Sequence, residues 1–152
     1  MSHHISTNPD QLDVVMIHRF LSEESSWARG IPIEMVARSI KNSLNFGLFQ
    51  GGRQVGYARV VTDQATFAYL MDVFVLPEAR GHGLSLALME AVMQHPSVGQ
   101  VRRFVLVSSA ARGLYERFGF AAPAKPETFM EINRPNTYLK ARAGDMSARR
   151  LT

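Results

Sequence analysis

A short apolar segment that leads through a glycine-rich turn into a helical pattern constrains this chain more than any other feature. Met71–Leu76 is rich in valine and other apolar residues, and Pro77 after it cannot continue a strand ladder. Beyond the turn, apolar residues recur at the spacing of one helical face: Leu84, Ala87, Leu88 and Ala91. The sequence therefore predicts a buried strand that feeds a helix beginning near Gly83.

The start of that helix is suited to an anion. The first N–H groups of a helix have no acceptor within it, and the helix dipole adds partial positive charge there. Gly81 and Gly83 would let phosphate oxygens approach the backbone, and Arg80 adds a fixed cation. A P-loop is excluded because no lysine follows either glycine, and a dinucleotide fingerprint is a poor match. A helix start with glycines but no ligand remains the alternative.

Two ordered signatures together resemble the GNAT superfamily of acyl-CoA-dependent N-acetyltransferases. Arg80–Ser85 is similar to the family's Arg/Gln-x-x-Gly-x-Gly/Ala, and Leu114–Phe120 is similar to its Leu-Tyr-x-x-x-Gly-Phe. Ser85 departs from the usual Gly or Ala, although its hydroxyl could donate to a phosphate. The resemblance spans about residues 44–132 and implies no particular acceptor.

The resemblance implies an acetyl-CoA site and a set of residues that form it. The cofactor-binding residues it implies are Val73, Phe74, Val75, Arg80, Gly81, His82, Gly83, Leu84, Ser85, Ser108 and Arg112. Of these, the amides near Val73 and Val75 would bind the pantetheine arm, and Arg80–Ser85 the pyrophosphate. Ser108 stands where the family often has Asn, and a serine there can cap a helix or bind the cofactor.

Two residues are candidates for the acyl-transfer chemistry. Tyr115 matches the family's general acid, which protonates the departing thiolate, whereas the alternative is a tyrosine that only packs on an apolar helix face. Asp72, within an apolar strand, is the candidate base for the acceptor amine, and the alternative is an ion pair with Arg59. Glu23 and Glu24 are further candidate bases. Neutralising a lysine-like amine at neutral pH costs about 4.6 kcal/mol, so a base should assist.

Further residues are assigned by position. Acceptor-binding candidates are Glu24, Trp27, Phe46, Tyr57 and Tyr69, each of which could instead pack in the core. Gly113 costs its helix about 1 kcal/mol relative to alanine. That cost is explained either by close approach of the pantetheine arm or by tight packing against the sheet. His82 could add a proton-dependent charge or point to solvent.

Composition restricts the remaining possibilities. The 152 residues contain no cysteine, which excludes disulfides and an acyl-cysteine intermediate. No metal-ligand spacing is present, and no segment has the length and hydropathy of a membrane span or signal peptide, so we expect a cytoplasmic protein without a metal. The net charge of +4 suits coenzyme A and would also suit nucleic acid. Much of that excess lies in 140–152, which favours a frayed tail over a nucleic-acid arm.

The order of predicted elements indicates one domain over 1–139. We expect an α/β (α+β), GNAT-like mixed, mostly antiparallel sheet of about six or seven strands flanked by about four helices. The predicted strands are Ile5–Thr7, Asn45–Gln50, Arg53–Val61, Thr66–Leu76, Phe104–Val107 and a last one near Phe129–Ile132. The predicted helices run from a cap at Asp10 or Asp13 to Leu21, over Ile33–Leu44, from Gly83 to His95, and over Ala111–Phe118.

The function predicted from the sequence is direct transfer of an acetyl group from acetyl-CoA to an amine in a ternary complex. The alternatives are a non-catalytic acyl-CoA-binding module and, with less support, a nucleic-acid-binding protein. The acceptor, the acyl length and the oligomeric state are not fixed by the sequence, and a homodimer is one arrangement compatible with it.

Overall fold

Five strands form the sheet in a computed structural model that describes residues 2–139. In chain order they are β1 (His3–Ser6), β2 (Leu44–Gln50), β3 (Arg53–Thr62), β4 (Phe67–Val75) and β5 (Arg103–Val105). Their order in the sheet follows the chain, and every neighbouring pair is antiparallel except β4 and β5, which are parallel. The predicted α/β fold with a mostly antiparallel sheet is confirmed.

Residues 137–139 are helical at the end of the described chain, and four further α-helices lie within residues 2–139, close to the predicted number of about four. They are α1 (Val14–Arg19), α2 (Ile33–Lys41), α3 (Leu84–Gln94) and α4 (Arg112–Glu116). Asp13 caps α1 because its Oδ1 accepts from the Met16 N–H at 3.0 Å, and a π-helical segment, Phe20–Glu24, continues that helix. Three-residue 3₁₀ turns cover Pro9–Gln11, Pro77–Ala79 and Pro126–Thr128.

The predicted number of strands is too high, because the last expected strand does not form. Phe129–Ile132 has no strand partner among the described residues, and its side chains at positions 129, 130 and 132 are 45%, 95% and 81% exposed. A strand is defined by its ladder to a neighbour, so an apolar segment without a neighbour stays irregular.

The sequence predicts a two-residue hairpin at Gly51–Gly52 and a left-handed helix cap at Gly119, and the backbone confirms both turns. Gly51 and Gly52 join β2 to β3 with φ of 54° and 78°, the signs that a two-residue hairpin turn with a right-handed strand twist requires. Gly119, which follows the last turn after α4, has φ of 94°, a left-handed conformation that glycine adopts without steric cost.

The described residues divide into two compact units. The first holds the residues up to Leu12 together with Ile40–Ala121, and it contains the whole sheet, α3 and α4. The second holds Asp13–Ser39 and the chain from Ala122, including α1. One domain over 1–139 stays a prediction, and the predicted tail at 140–152 lies outside the described residues. Within residues 2–139, no helix has the length and hydropathy that a membrane span needs.

The core of the first unit lies between α3 and one face of the sheet. The buried residues that α3 contributes are Leu84, Leu88, Met89 and Val92. Those of β2 to β4 are Phe46, Leu48, Val55, Ala58, Val60, Ala68, Leu70 and Val75. Each such side chain contributes on the order of 2 kcal/mol when it leaves water, so this contact fixes the helix on the sheet.

A β-bulge changes which residues of β4 face that core. Tyr57 pairs with Phe74 and Arg59 with Met71, so Asp72 and Val73 together oppose the single residue Ala58. Before the bulge the even-numbered residues of β4 belong to the core, and after it the odd-numbered Val73 and Val75 do. Without the extra residue, the alternation of strand side chains would direct Asp72 into the apolar core.

Candidate active site

The parallel strands β4 and β5 diverge and leave one edge of β4 open. They pair only between Phe67–Tyr69 and Arg103–Val105. From Leu70 to Val75, no strand among the described residues pairs with β4 on that side. The carboxyl ends of both strands lead towards helices, α3 after β4 and α4 after β5, and such carboxyl-end crevices are where ligands bind in open α/β sheets.

The backbone of β4 directs two amides to this open edge. The Leu76 N–H donates to the Val55 carbonyl of β3 at 2.8 Å, so it points towards β3. Backbone groups alternate sides along an extended strand, which directs the N–H groups of Val75 and Val73 away from β3. These are the two amides that the resemblance to the GNAT superfamily assigns to the pantetheine arm.

Arg80 lies at the end of the same edge. Its Nε donates to the Val75 carbonyl at 2.9 Å, which anchors the side chain on β4. The guanidinium carries further N–H donors beyond Nε, in a geometry that matches phosphate oxygens. Arg80 and His82 are both exposed. Of the two roles considered for His82, the structure therefore favours a side chain that points to solvent.

The glycine turn leaves the first turn of α3 uncovered. Gly81 and Gly83 have φ of 86° and 73°, and a Cβ built at either would meet no heavy atom of the described residues within 4 Å. Gly83 is the N-cap of α3, and the first helical bond runs from the Ala87 N–H to the Gly83 carbonyl at 3.2 Å. The amides of the preceding helical residues, Leu84 to Leu86, are therefore available to an anion. Ser85 is half-buried beside them.

Tyr115 combines a buried ring with an accessible hydroxyl. The residue is 8% exposed, packs with the core cluster, and meets the Phe120 ring edge to face at 6.2 Å between centroids. No hydrogen bond to the hydroxyl occurs among the described residues, and no buried side-chain oxygen there is without a partner, so this oxygen reaches accessible space. Burial raises the pKa of Tyr115, which keeps it protonated near neutral pH.

Two of the other predicted contacts and one glycine lie in α4, the helix that carries Tyr115, or in the turn just before it. Ser108 Oγ accepts from the Ala111 N–H at 3.1 Å, so Ser108 caps the turn that leads into α4. Arg112 is exposed and lies 3.9 Å from Glu116 in an i,i+4 ion pair. A Cβ at Gly113 would meet no heavy atom within 4 Å in the part of the chain that the structure describes. Tight packing against the sheet therefore does not explain this glycine, and the approach of a ligand remains.

Asp72 forms the ion pair that the sequence left open as an alternative to a catalytic base. Its Oδ2 accepts from Arg59 Nε at 2.8 Å, and the two side chains are only 8% and 11% exposed. Asp72 also has φ of 54°, a left-handed conformation that residues other than glycine adopt at a cost. The ion pair with Arg59 is therefore observed, and a base role for Asp72 stays a prediction.

The residues expected to contact the acceptor fall into two groups. Phe46 and Tyr57 are 1% and 0% exposed, which favours the packing role that the sequence left open, and Tyr69 is half-buried on β4. Phe74, assigned to the cofactor, is buried beside the Tyr57 ring. Glu24 and Trp27 are exposed residues of the second unit.

Sequence reasoning missed two polar features. The Tyr57 hydroxyl donates to Asn45 Oδ1, whose amide donates to the Ile40 and Ser43 carbonyls at 2.9 and 3.1 Å, and burial raises the pKa of Tyr57. In the second unit, Trp27, Arg29 and Arg134 line a cavity of about 350 Å³. Each feature joins residues that are separated in the sequence, so no local pattern predicts it.

The described residues contain no cluster of side chains suited to bind a metal ion. Within residues 2–139, no group of three or more His, Asp or Glu side chains lies close enough together to hold a metal ion.

Comparison with known proteins identifies relatives over most of the chain. A family model described as "Acetyltransferase (GNAT) domain" matches residues 18–132. The "Putative acetyltransferase FG08082" of Gibberella zeae is 30% identical over 134 residues, covering 73% of this chain and 74% of its own.

Solved structures show the same fold. The crystal structure of a GNAT-family protein (xcc2953) from Xanthomonas campestris pv. campestris is 53% identical, with a TM-score of 0.89, and the match covers 91% of this chain and 97% of that chain. A Clostridium acetobutylicum protein crystallised with acetyl-CoA is 15% identical, with a TM-score of 0.65 and coverage of 87% and 95%. At that identity the second likeness concerns the fold alone.

Proposed function

Because this chain belongs to the GNAT family of acetyltransferases, we propose that it is an N-acetyltransferase that moves the acetyl group of acetyl-CoA directly to an amine. One observation carries this proposal. The open edge of β4, Arg80 anchored on Val75 and the uncovered first turn of α3 follow one another along the chain as a row of segments that each present hydrogen-bond donors.

Coenzyme A has the complementary shape and charge for that row. Its pantetheine arm carries amides that can pair with Val73 and Val75 as an added strand would. Its pyrophosphate would meet the amides of Leu84 and Ser85 and the guanidinium of Arg80, where the helix dipole and a fixed cation both favour negative charge. Gly81 and Gly83 permit this approach because they carry no side chain, and a Cβ at either would meet no heavy atom of residues 2–139 within 4 Å.

Tyr115 would assist the departure of the thiolate. The neutral amine attacks the thioester carbonyl and forms the new C–N bond, the C–S bond breaks, and the sulfur takes up the proton that the Tyr115 hydroxyl donates; the proton that the attacking nitrogen loses then restores that hydroxyl through solvent. With ordinary pKa values of about 10 for tyrosine and about 8.5 for a thiol, full transfer is uphill by about 2 kcal/mol. Burial raises the pKa of Tyr115 and increases this cost, so a hydrogen bond to the developing thiolate precedes full proton transfer.

Transfer is direct in this proposal because the chain has no cysteine that could carry the acyl group. The acceptor must then reach the thioester as a neutral amine. Asp72 is the candidate base, and its carboxylate lies on the strand whose next residues would bind the pantetheine arm. Arg59 fixes that carboxylate in one position.

A thiol-release assay with acetyl-CoA and a panel of amines tests the function. Amino acids, polyamines, aminosugars and peptides would be screened, with an amine-free reaction as the control for hydrolysis. We expect at least one acceptor class to release thiol well above that control and to gain an acetyl group by mass spectrometry. Binding of coenzyme A without release for any amine would instead favour a non-catalytic acyl-CoA-binding module.

A further inference from the structure

The bulge in β4 contains a conformation that needs support. Asp72 has φ of 54°, where an L residue with a Cβ is destabilised relative to extended backbone, although Asp and Asn tolerate this region better than most residues. The extra residue also interrupts the ladder to β3. A bulge at this place is retained only if neighbouring contacts favour it over the regular pairing.

Arg59 supplies such contacts to the bulged residue and to the residue before it. Its Nε donates to Asp72 Oδ2 at 2.8 Å, one terminal nitrogen donates to Ser43 Oγ at 3.0 Å, and the other lies 3.5 Å from the Met71 sulfur. The guanidinium therefore links β3 to two successive residues of β4 and to the residue before β2. With both charged side chains about nine-tenths buried, the pair has a single defined geometry and little screening by solvent.

The position of the bulge connects this pair to the donor site. Val73 and Val75 follow the bulge, and the bulge determines that their side chains face the core. Their amides point to the open edge only in this register, since a slip of one residue reverses the side to which each backbone group points.

We propose that Arg59 is a positioning residue that acts through Asp72 to lock the β4 bulge, and so holds the amides of Val73 and Val75 in the geometry that binds acetyl-CoA. This inference rests on the proposed function. It assigns Arg59 no contact with substrate, and it gives Asp72 a structural task that is separate from proton transfer.

Coenzyme A affinity, measured by calorimetry without an acceptor, tests the positioning role. Arg59→Met should weaken binding about tenfold, which is the loss of about one well-placed hydrogen bond to a charged ligand. Arg59→Lys should recover part of the affinity, because lysine keeps the charge but not the forked contacts. Asp72→Asn should remain within about threefold of the unaltered protein, because asparagine tolerates positive φ and still accepts from Arg59.

Arg53→Met is the matched control. It removes the same charge from the same strand, but its partner Glu78 is exposed, with side-chain exposures of 61% and 53% for the pair. We expect less than a twofold change in affinity. If Arg53→Met and Arg59→Met weaken binding by the same factor, or if Arg59→Met binds normally, the positioning role is wrong.

A double variant guards against simple unfolding, because Arg59→Met alone leaves a buried carboxylate without this partner. Arg59→Met with Asp72→Asn removes both charges, and we expect it to fold while showing the same loss of affinity as Arg59→Met. A double variant that folds and binds coenzyme A normally would overturn the proposal.

Amide hydrogen exchange of the ligand-free protein separates this inference from the proposed function. Arg59→Met should accelerate exchange at Phe74 and Leu76, whose N–H groups face β3, whereas Arg53→Met should not. If the unaltered protein fails to bind coenzyme A, the proposed function is wrong. The role of Arg59 in coenzyme A binding is then wrong too, even if Arg59→Met changes amide exchange. If it binds but Arg59→Met alters neither affinity nor exchange, only the positioning role fails.

Discussion

The ring and the hydroxyl of Tyr115 have different surroundings. The ring is buried against the core and Phe120, whereas the hydroxyl reaches accessible space and has no hydrogen-bond partner among the described residues. Packing therefore accounts for the ring and leaves the oxygen unexplained. A phenol with an ordinary pKa near 10 is protonated at neutral pH, and burial raises the pKa of Tyr115 further, so the ring holds in place a hydroxyl that can donate a hydrogen bond to a developing thiolate.

Replacing Tyr115 by Phe should separate these two roles. We expect kcat for acetyl transfer to fall about a hundredfold, a typical contribution of general acid catalysis. The free energy of unfolding should change by less than about 1 kcal/mol, because no hydrogen bond to the described residues is lost. Steady-state kinetics and urea unfolding measure the two quantities. Unchanged kcat would remove Tyr115 from the mechanism, and a large loss of stability would indicate a structural hydroxyl.

At the scale of elements, α4 carries a glycine that its own stability does not favour. Glycine is destabilising in a helix relative to alanine, by up to about 1 kcal/mol, and Gly113 is the second residue of α4; no heavy atom of residues 2–139 lies within 4 Å of the position its Cβ would take. Its backbone φ is outside the left-handed range, so alanine fits without strain. Space left open on the helix that presents Tyr115 suggests a ligand that passes close to the backbone.

Gly113→Ala should therefore shift stability and affinity in opposite directions. We expect the free energy of unfolding to rise by about 0.5 to 1 kcal/mol, since alanine restricts the unfolded chain and favours the helix. Affinity for coenzyme A should fall, because the new methyl group occupies the path of the pantetheine arm. Urea unfolding and calorimetry of the same preparation give both values. A stabilised protein with unaltered affinity would show that the arm does not pass Gly113.

At the scale of the whole molecule, two buried tyrosines couple folding to alkaline pH. Burial raises the pKa of both Tyr57 and Tyr115, and Tyr57 also donates to the buried Asn45. Both groups have an ordinary pKa near 10 once the chain unfolds. Above that pH the unfolded state releases protons that the folded state retains, so the stabilising contribution is complete below pH of about 10 and is lost as pH rises.

Urea unfolding across the alkaline range should show this loss. Each retained proton lowers the free energy of unfolding by about 1.4 kcal/mol per pH unit above pH of about 10. Tyr57→Phe should lower stability at neutral pH by about 1 to 3 kcal/mol, since Asn45 Oδ1 loses its donor. The same variant should also have a shallower alkaline slope. An identical slope in the variant would mean that Tyr57 does not carry the effect.

The sequence predicted those features whose requirements are local. The hairpin at Gly51 and Gly52, the cap at Asp13 and the turn at Gly81 to Gly83 each depend on residues that adopt a particular φ or donate to a neighbouring amide. Predictions that needed a distant partner were less complete. Phe129–Ile132 has strand-forming residues but no strand beside it within residues 2–139, and Phe46 and Tyr57 proved to be buried.

The sequence by itself determined the strand, the glycine turn and the helix of the donor site, together with the position of Tyr115 in its motif. Periodicity, glycine conformation and helix capping act over a few residues, so their physical causes are present in the local sequence. Only the tertiary structure decided that β4 bulges at Asp72, that Arg59 is its partner, and that β4 and β5 separate to leave an open edge. Strand register and ion pairing join residues far apart in the chain, and their geometry exists only once the sheet has formed.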